Sequence, residues 1–280
     1  NPFLLTKSIN AIKNAWFIID PQNCFENELP IYGATLNNID TALNINKSVN
    51  SIDQLVLLKD THNNNEINNQ NNWINSTGHH PNIYEMINEN DIGKKWWPTT
   101  VSLEYAKIYS NYLNNNNKPS IIMWPNHCVI NTNGHNINDE INKSIQYWEF
   151  INNKSVLILE KGLNMYSEQY GILPEARLPQ VFNDKNINYL INEVIYLLCN
   201  YDNIYFVGDE YSHSVLPTLK DVHEIVSEWL KMPLVYVPNL YLNNNLLDIE
   251  EYNIDFFNWV KNKFNFAINN LIEHILDEEL

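Results

Sequence analysis

The stretch Ile204-Tyr-Phe-Val-Gly208-Asp-Glu-Tyr-Ser212-His213-Ser214-Val215 decides how the rest of the chain is interpreted. An apolar run ends at a glycine, a short polar loop follows, and Ser214 begins a segment with helical periodicity. Such a strand-to-helix corner often holds a nucleophile, because unpaired backbone N–H groups there stabilise negative charge. The first question that the sequence raises is therefore whether Ser214 is a nucleophile.

Apolar runs of similar character recur along the chain and predict buried parallel strands. Besides 204–207, these runs are Ala15–Ile19, Leu55–Leu58, Ile121–Trp124, Val156–Leu159 and Leu234–Val237. Helical periodicity occupies most of the intervals, at Thr35–Ile52, Val101–Leu113, Asp139–Ile151, Ile187–Leu198 and Ser214–Leu230. This alternation predicts an α/β fold, a three-layer α/β/α arrangement around a mostly parallel sheet, as a single domain over residues 1–280.

Two regions depart from the alternation. Residues 63–98 form a long, Asn-rich insertion that carries Trp73, Trp96 and Trp97, and these aromatic residues favour an ordered cover over a site. Residues 248–280 have apolar positions that predict a C-terminal helical extension. That helix either packs on its own domain or forms the interface of a homo-oligomer, and the sequence leaves both alternatives open.

The composition and net charge of the chain indicate a protein with a sizeable core and argue against several kinds of partner. The 280 residues are 44% hydrophobic, which is enough for a sizeable core, and the net charge of −16 argues against nucleic acid or an anionic membrane surface as partner. No apolar run is long enough to span a bilayer, and no signal-peptide pattern is seen. The three cysteines, Cys24, Cys128 and Cys199, predict neither a disulfide framework nor a metal site, so a reducing, cytoplasmic location is expected.

Five predicted strands each deliver a polar residue to their carboxyl end, where ligands bind in open α/β sheets. In chain order these residues are Asp20, Asp60 with His62, His127, Lys161 and Ser214. Any one of them has an ordinary explanation: Asp20 could cap a helix, and most lysines lie on the surface. The repetition at every strand end is what indicates a functional site.

Asp60 and His62 stand two residues apart, so on an extended strand their side chains point the same way. A further histidine, His127, would complete a set of two histidines and one carboxylate, which suits zinc, iron or manganese. Taken alone, an Asp-x-His sequence more often consists of an aspartate that caps a helix and a histidine on the surface. His79 and His80 compete as ligands, although they lie in the insertion and not at a strand end.

These strand-end residues and the motifs around them resemble those of the nicotinamidase and isochorismatase-like cysteine hydrolases, over about residues 15–237. The resemblance rests on motifs that are weak singly and specific together: Asp20-Pro-Gln-Asn-Cys-Phe25, Asp60-Thr-His62, Trp124-Pro-Asn-His127-Cys128, Lys161-Gly162, and Gly208 to Val215 with Thr218 and Asp221. The larger members of the family look similar at Tyr-Ser212-His213, Trp73-Ile-Asn, Gly134-His135 and Asn164-x-x-x-Glu168-x-Tyr170.

The resemblance implies hydrolysis of a small amide, with nicotinamide to nicotinate and ammonia as the type reaction. The implied catalytic residues are Asp20, Lys161 and Ser214, and Phe25 and Trp73 would line the substrate pocket. The implied metal ligands are Asp60, His62 and His127, which would hold a divalent metal, zinc first, with iron or manganese as alternatives.

Two residues depart from the family pattern. Ser214 stands where the family has its nucleophilic cysteine, and Cys24 stands where an acidic residue is common. A thiol ionises near pH 8.5, whereas a serine hydroxyl needs a positioned base. Asp20 is a weak base for an alcohol, and the adjacent His213 points elsewhere in a helical turn.

Several hypotheses follow. The chain is an amidase whose nucleophile was changed to serine, by design or by natural loss, or it is a pseudoenzyme with a binding or structural role. A third hypothesis is a hydrolase in which water attacks directly with help from the metal. Cys24 or Cys128 could also act in place of Ser214, although a packed, inert thiol is the favoured interpretation of Cys128.

Overall fold

A computed structural model of the chain describes residues 12–29, 34–208, 211–230 and 239–242. Its strands are β1 (Asn14–Ile19), β2 (Gln54–Asp60), β3 (Trp73–Ile74), β4 (Met86–Ile87), β5 (Trp97–Pro98), β6 (Ile121–Ile122), β7 (Leu157–Lys161), β8 (Asn203–Gly208) and β9 (Asn239–Leu242). Five of them form the central sheet, in the order β7-β2-β1-β8-β9, and all of its pairings are parallel. The predicted parallel sheet is confirmed.

The helices are α1 (Cys24–Asn27), α2 (Ala34–Lys47), α3 (Leu103–Asn115), α4 (Asp139–Asn152), α5 (Pro179–Phe182), α6 (Lys185–Asn200) and α7 (Leu216–Glu224). Single π-helical turns at Tyr211–Val215 and Ile225–Trp229 flank α7. Side chains cap the longer helices as their sequences suggest: Ser102 accepts from Tyr105 N at α3, and Asp184 accepts from Asn186 N at α6.

The central sheet lies between two helical layers because its strands are apolar on both faces. Phe17 of β1 and Phe206 of β8 pack with α6 and α7 in one hydrophobic cluster. Trp16 and Ile18 of β1 face the other way and pack with α2 and α4, where Trp148 is fully buried. Alternation along each strand therefore produces the expected three-layer α/β/α architecture.

The insertion at 63–98 folds around a hydrophobic cluster of its own, together with α3. Trp73 and Trp96 lie inside this cluster, and β3 pairs with β5 in a short antiparallel ladder. The aromatic residues of the insertion therefore serve mainly its internal packing, while Tyr84 lines the cavity described below.

The run Ile121–Trp124 does not form the expected strand of the central sheet. Only Ile121–Ile122 is a strand, and it pairs antiparallel with β4. This run pairs with the insertion instead, and β7 takes the position beside β2 in the central sheet.

Two sequence predictions fall outside the described residues: the strand at Leu234–Val237 and the helical extension at 248–280, with its homo-oligomer alternative. Across the part of the chain that the structure describes, no helix combines the length and the apolar character that crossing a bilayer requires.

Candidate active site and metal centre

Strand register brings Asp20 and Ser214 to the same place. Ile19, which precedes Asp20, lies beside Gly208 across the β1–β8 ladder. A side chain at Gly208 would lie 2.6 Å from the Ile19 carbonyl oxygen, so only glycine permits this close approach. Ser214 follows in the π-helical turn before α7 and is buried, and it lies near enough to Asp20 to act to lower the pKa of that carboxyl group.

Lys161 joins two carboxylates. It is paired with Asp60 across the β2–β7 ladder, and its Nζ lies 3.3 Å from Asp60 Oδ1 and 3.3 Å from Asp20 Oδ1. All three side chains are buried. Gly162 turns the chain away directly behind this group with a φ of +86°, where a side chain would press on the Thr61 carbonyl and Asp60.

The two aspartates flanking Lys161 have pKa values shifted in opposite directions. Burial raises the pKa of Asp20 to about 6, although Lys161 acts to lower it. Burial also acts to raise the pKa of Asp60, but His62 and Lys161 outweigh burial and hold it well below the usual range. For Lys161, burial acts to lower the pKa, and the two carboxylates outweigh burial and raise it.

Asp60, His62 and His127 come together as the sequence suggested, with one ligand atom from each within 4.8 Å of the others. His62 Nε2 lies 3.0 Å, and His127 Nε2 lies 3.3 Å, from Asp60 Oδ2. His127 reaches the site on a loop that runs beside the residues after β2, since His62 N–H donates to the Cys128 carbonyl oxygen (3.2 Å). His79 and His80 are exposed and outside this cluster.

The other ring nitrogen of each histidine is also engaged. His62 Nδ1 lies 2.6 Å from Glu66 Oε2, and His127 Nδ1 lies 2.7 Å from the Pro125 carbonyl oxygen. An ionised carboxylate and a carbonyl can only accept, so the hydrogen of each neutral imidazole lies on Nδ1, and Nε2 is the ligand atom of that neutral form. This arrangement fits a divalent cation at the Nε2 atoms and Asp60.

Charge in this region also favours a cation. Burial acts to lower the pKa of His62, but Asp60 and Glu66 outweigh burial and raise it well above the ordinary value. Glu66 is the one acidic residue between Asp60 and Glu85, and this isolated carboxylate in an Asn-rich segment is a signal that the sequence carries. It lies four positions after His62 and is 4% exposed.

A cavity of about 220 Å³ opens onto both groups. Its wall is mostly aromatic, with Tyr84, Trp124, Tyr170 and His213 in edge-to-face contacts at centroid distances of 5.4 to 6.3 Å. Phe25 lines the cavity as expected, and Glu168 adds a carboxyl group whose pKa burial raises.

Trp73 lies elsewhere than expected. It is 0% exposed inside the insertion cluster, and its Nε1–H donates to the Ile67 carbonyl oxygen at 2.7 Å. The expected substrate contact is therefore wrong for this residue, because its ring fills the core of the insertion. Trp124, three residues before His127, lines the cavity instead.

The cysteines also differ from expectation. Cys24 and Cys128 form a disulfide, although the sequence predicted none, and Cys199 is a free, exposed thiol. The pairing escaped sequence reasoning because the two residues are 104 positions apart and only the packing of α1 against the His127 loop brings them together. In this oxidised form neither Cys24 nor Cys128 has a thiol that could act in place of Ser214.

No family model and no curated protein sequence matches the chain. Among solved structures, the yeast nicotinamidase Pnc1p is similar at 17% identity, covering 89% of this chain and 96% of that one, with a TM-score of 0.53. The same enzyme bound to the inhibitor nicotinaldehyde matches at 15% identity, 90% and 95% coverage and a TM-score of 0.53.

The zinc complex of a Pyrococcus horikoshii pyrazinamidase matches more loosely, at 15% identity, with 82% of this chain and 83% of that chain covered and a TM-score of 0.41. The likeness to Pnc1p establishes that this chain has the nicotinamidase fold, which agrees with the family resemblance of its motifs. At such low identity it is a finding about fold, so the chemistry must be argued from the residues.

Proposed function

We propose that this protein is a metal-containing hydrolase of small amides, of the nicotinamidase type, and that Ser214 makes its turnover very slow. The observation that carries the proposal is the position of Lys161, 3.3 Å from the carboxylates of both Asp20 and Asp60. One lysine thereby joins a nucleophile half (Asp20, Lys161, Ser214) to a metal half (Asp60, His62, His127) in a single cavity.

The cavity supports a small aromatic amide as substrate. A volume of about 220 Å³ with an aromatic wall and a few polar groups is typical of sites for small, flat molecules. Phe25 and Trp124 line the cavity with aromatic rings, and Ser214 lies in the wall of the same cavity.

The metal half would hold a divalent cation through Asp60 and the Nε2 atoms of His62 and His127. Two imidazoles and one carboxylate suit zinc first, with iron or manganese as alternatives. When bound, the cation would supply positive charge for a ring nitrogen or for water. Glu66 and the Pro125 carbonyl would hold the imidazoles in the ligating tautomer.

The nucleophile half determines the rate. In the proposed reaction the Ser214 hydroxyl oxygen attacks the amide carbon, and its proton passes through Asp20 to the amide nitrogen as the C–N bond breaks and ammonia leaves. Water then attacks the acyl ester, its proton returns through Asp20 to the Ser214 oxygen, and the carboxylic acid is released. Lys161 holds Asp20 in place and lies where it can stabilise negative charge on the substrate oxygen. A carboxylate with a pKa of about 6 is a better base than an ordinary aspartate, yet still a poor one for an alcohol.

The substitution of serine for a thiol also favours a second function, that of a pseudoenzyme which binds a small amide without hydrolysing it. The same cavity, metal half and buried Lys161 would serve binding alone. The small-molecule partner, the cytoplasmic location and the absence of a nucleic-acid or membrane partner remain predictions of the sequence.

Ammonia release from nicotinamide tests the proposal in three variants of the full chain. We expect Ser214→Cys to exceed the Ser214 protein by about 1,000-fold or more, because a thiolate beside Lys161 needs no strong base. Ser214→Ala should have no activity above background, and adding Asp20→Asn to Ser214→Cys should remove the gain.

Benzamide is the matched control substrate, because it lacks only the ring nitrogen. Hydrolysis of nicotinamide in strong preference to benzamide would support contact between that nitrogen and the metal half. Ser214→Cys without activity on either amide, in protein that retains metal, would overturn the hydrolase and leave the binding function.

A further inference from the structure

The Cys24–Cys128 disulfide connects two walls of the cavity. Cys24 begins α1, Cys128 belongs to the loop after Trp124, and both residues are 0% exposed. The bond joins segments 104 positions apart in the sequence. It therefore fixes the distance between α1 and the loop, which the hydrogen bonds within each segment do not do.

Each half-cystine is adjacent in sequence to a residue of the site. Phe25, after Cys24, lines the cavity, and His127, before Cys128, belongs to the metal half. The rings of Phe25 and His127 meet edge to face with centroids 6.1 Å apart. The disulfide and Phe25 form one buried cluster, with Leu29 packed against it, and the Phe25 ring joins this cluster to His127.

The backbone at Cys128 needs external support. Its φ is +47°, a left-handed conformation that L-residues seldom adopt and that persists only where neighbouring structure enforces it. The support comes from the disulfide, from Glu28 Oε2, which accepts the Cys128 N–H at 2.9 Å, and from the His62 N–H. Two of these three contacts come from the segment of α1, which the disulfide holds against the loop.

We propose that Cys24 and Cys128 are positioning residues whose redox state controls the affinity of the site for its metal. A dithiol reductant would transfer two electrons and two protons to the sulfur atoms, giving two cysteine thiols and the disulfide of the reductant. Without the bond, the left-handed turn at Cys128 relaxes and His127 Nε2 leaves its position near Asp60.

The inference rests on the proposed metal half, and a titration with Co²⁺ separates the two. Oxidised protein is compared with protein treated with a phosphine reductant and freed of it under argon, with binding measured by visible absorption of the bound Co²⁺. We expect reduction to raise the Kd for Co²⁺ about 10- to 100-fold, as loss of a support for a ligating histidine does. Reoxidation should restore the original Kd, and circular dichroism should show that the reduced protein stays folded.

Two variants serve as controls. Cys199→Ser removes the free, exposed thiol and should leave the redox response unchanged. The double variant Cys24→Ser with Cys128→Ser should bind Co²⁺ as weakly as the reduced protein and should not respond to reductant.

Equal Co²⁺ affinity in oxidised and reduced protein would overturn the inference while leaving the metal half intact. Peptide mapping that finds Cys24 and Cys128 as free thiols in air-oxidised protein would also overturn it, as would unfolding on reduction, which would make the bond a general staple. Failure of the oxidised protein to bind Co²⁺ would instead overturn the metal half itself, and the inference with it.

Discussion

The metal half and the nucleophile half of the cavity share one sheet edge but differ in completeness. In the metal half every donor atom has support: both histidines have their Nδ1 atoms engaged, and both Nε2 atoms lie within 3.3 Å of Asp60. In the nucleophile half Asp20 and Lys161 are in contact, but the proposed attacking group is the alcohol of Ser214.

The difference separates binding from turnover. Ligand binding depends on shape, charge and donor geometry, which both halves supply through many contacts. Turnover depends on how readily one atom ionises, and an oxygen in place of a sulfur at residue 214 changes that property by several pKa units. Under the proposed function, a serine at residue 214 would therefore leave the cavity able to bind its ligand while making turnover slow.

Lys161 contacts both halves, so removing it should have the largest effect on the stability of the protein. We expect Lys161→Met to lower the free energy of unfolding by about 3 to 5 kcal/mol, because the buried Asp20 carboxylate loses its cation and Asp60 loses one of its partners. Urea denaturation of metal-free protein measures this change.

The matched control is Lys154→Met. It removes a lysine whose side chain is 43% exposed and whose Nζ lies 3.8 Å from Asp53 Oδ1. An exposed pair contributes less than about 1 kcal/mol, so this variant should stay close to the parent protein. Equal losses for the two variants would contradict the bridging role of Lys161.

Because the pKa values of Asp20 and Asp60 are shifted in opposite directions, their contributions to stability should depend on pH in opposite ways. The folded state raises the pKa of Asp20 from 3.8 to about 6, so it binds this proton more tightly than the unfolded chain does. Stability from this group is present below about pH 4 and is lost as pH rises through about 6, a total of about 3 kcal/mol. Asp20→Asn should remove that decline in urea denaturation of chelator-treated protein.

The contribution of Asp60 to stability has the opposite dependence on pH, so Asp60 serves as the internal control. Its pKa is held below the usual range, so its contribution is present above about pH 4 and is lost as the solution is acidified. Asp60→Asn should remove the loss of stability on the acid side. The same slope in both variants would show that the two carboxylates do not have pKa values shifted in opposite directions.

Glu66 tests the support within the metal half and carries the smallest expected effect. Glu66→Gln keeps the shape of the side chain but weakens the hydrogen bond to His62 Nδ1. We expect the affinity for Zn²⁺, measured by competition with a chromophoric chelator, to fall about 10-fold. Glu140→Gln changes a carboxylate that is 54% exposed and should leave the affinity unchanged, and equal affinities in both variants would remove Glu66 from the site.

The sequence alone determined the strands that carry the site. Runs such as Ala15–Ile19 and Leu55–Leu58 are apolar at every position because both faces of a central parallel strand are covered, and that pattern can be read without coordinates. Because parallel strands end at the same edge, the residues that follow them had to converge. The sequence therefore predicted that Asp20, Asp60 and Lys161 would meet.

Only the tertiary structure decided which residues close the cavity and hold it. The sequence named Trp73 for the wall, but burial in the insertion competes for that ring, and Trp124 takes the position. The contacts of Glu66 and the Cys24–Cys128 bond likewise depend on how loops pack. Loop contacts join residues distant in sequence without periodicity, so no local pattern specifies them, whereas the geometry of a parallel sheet specifies its edge from the strands alone.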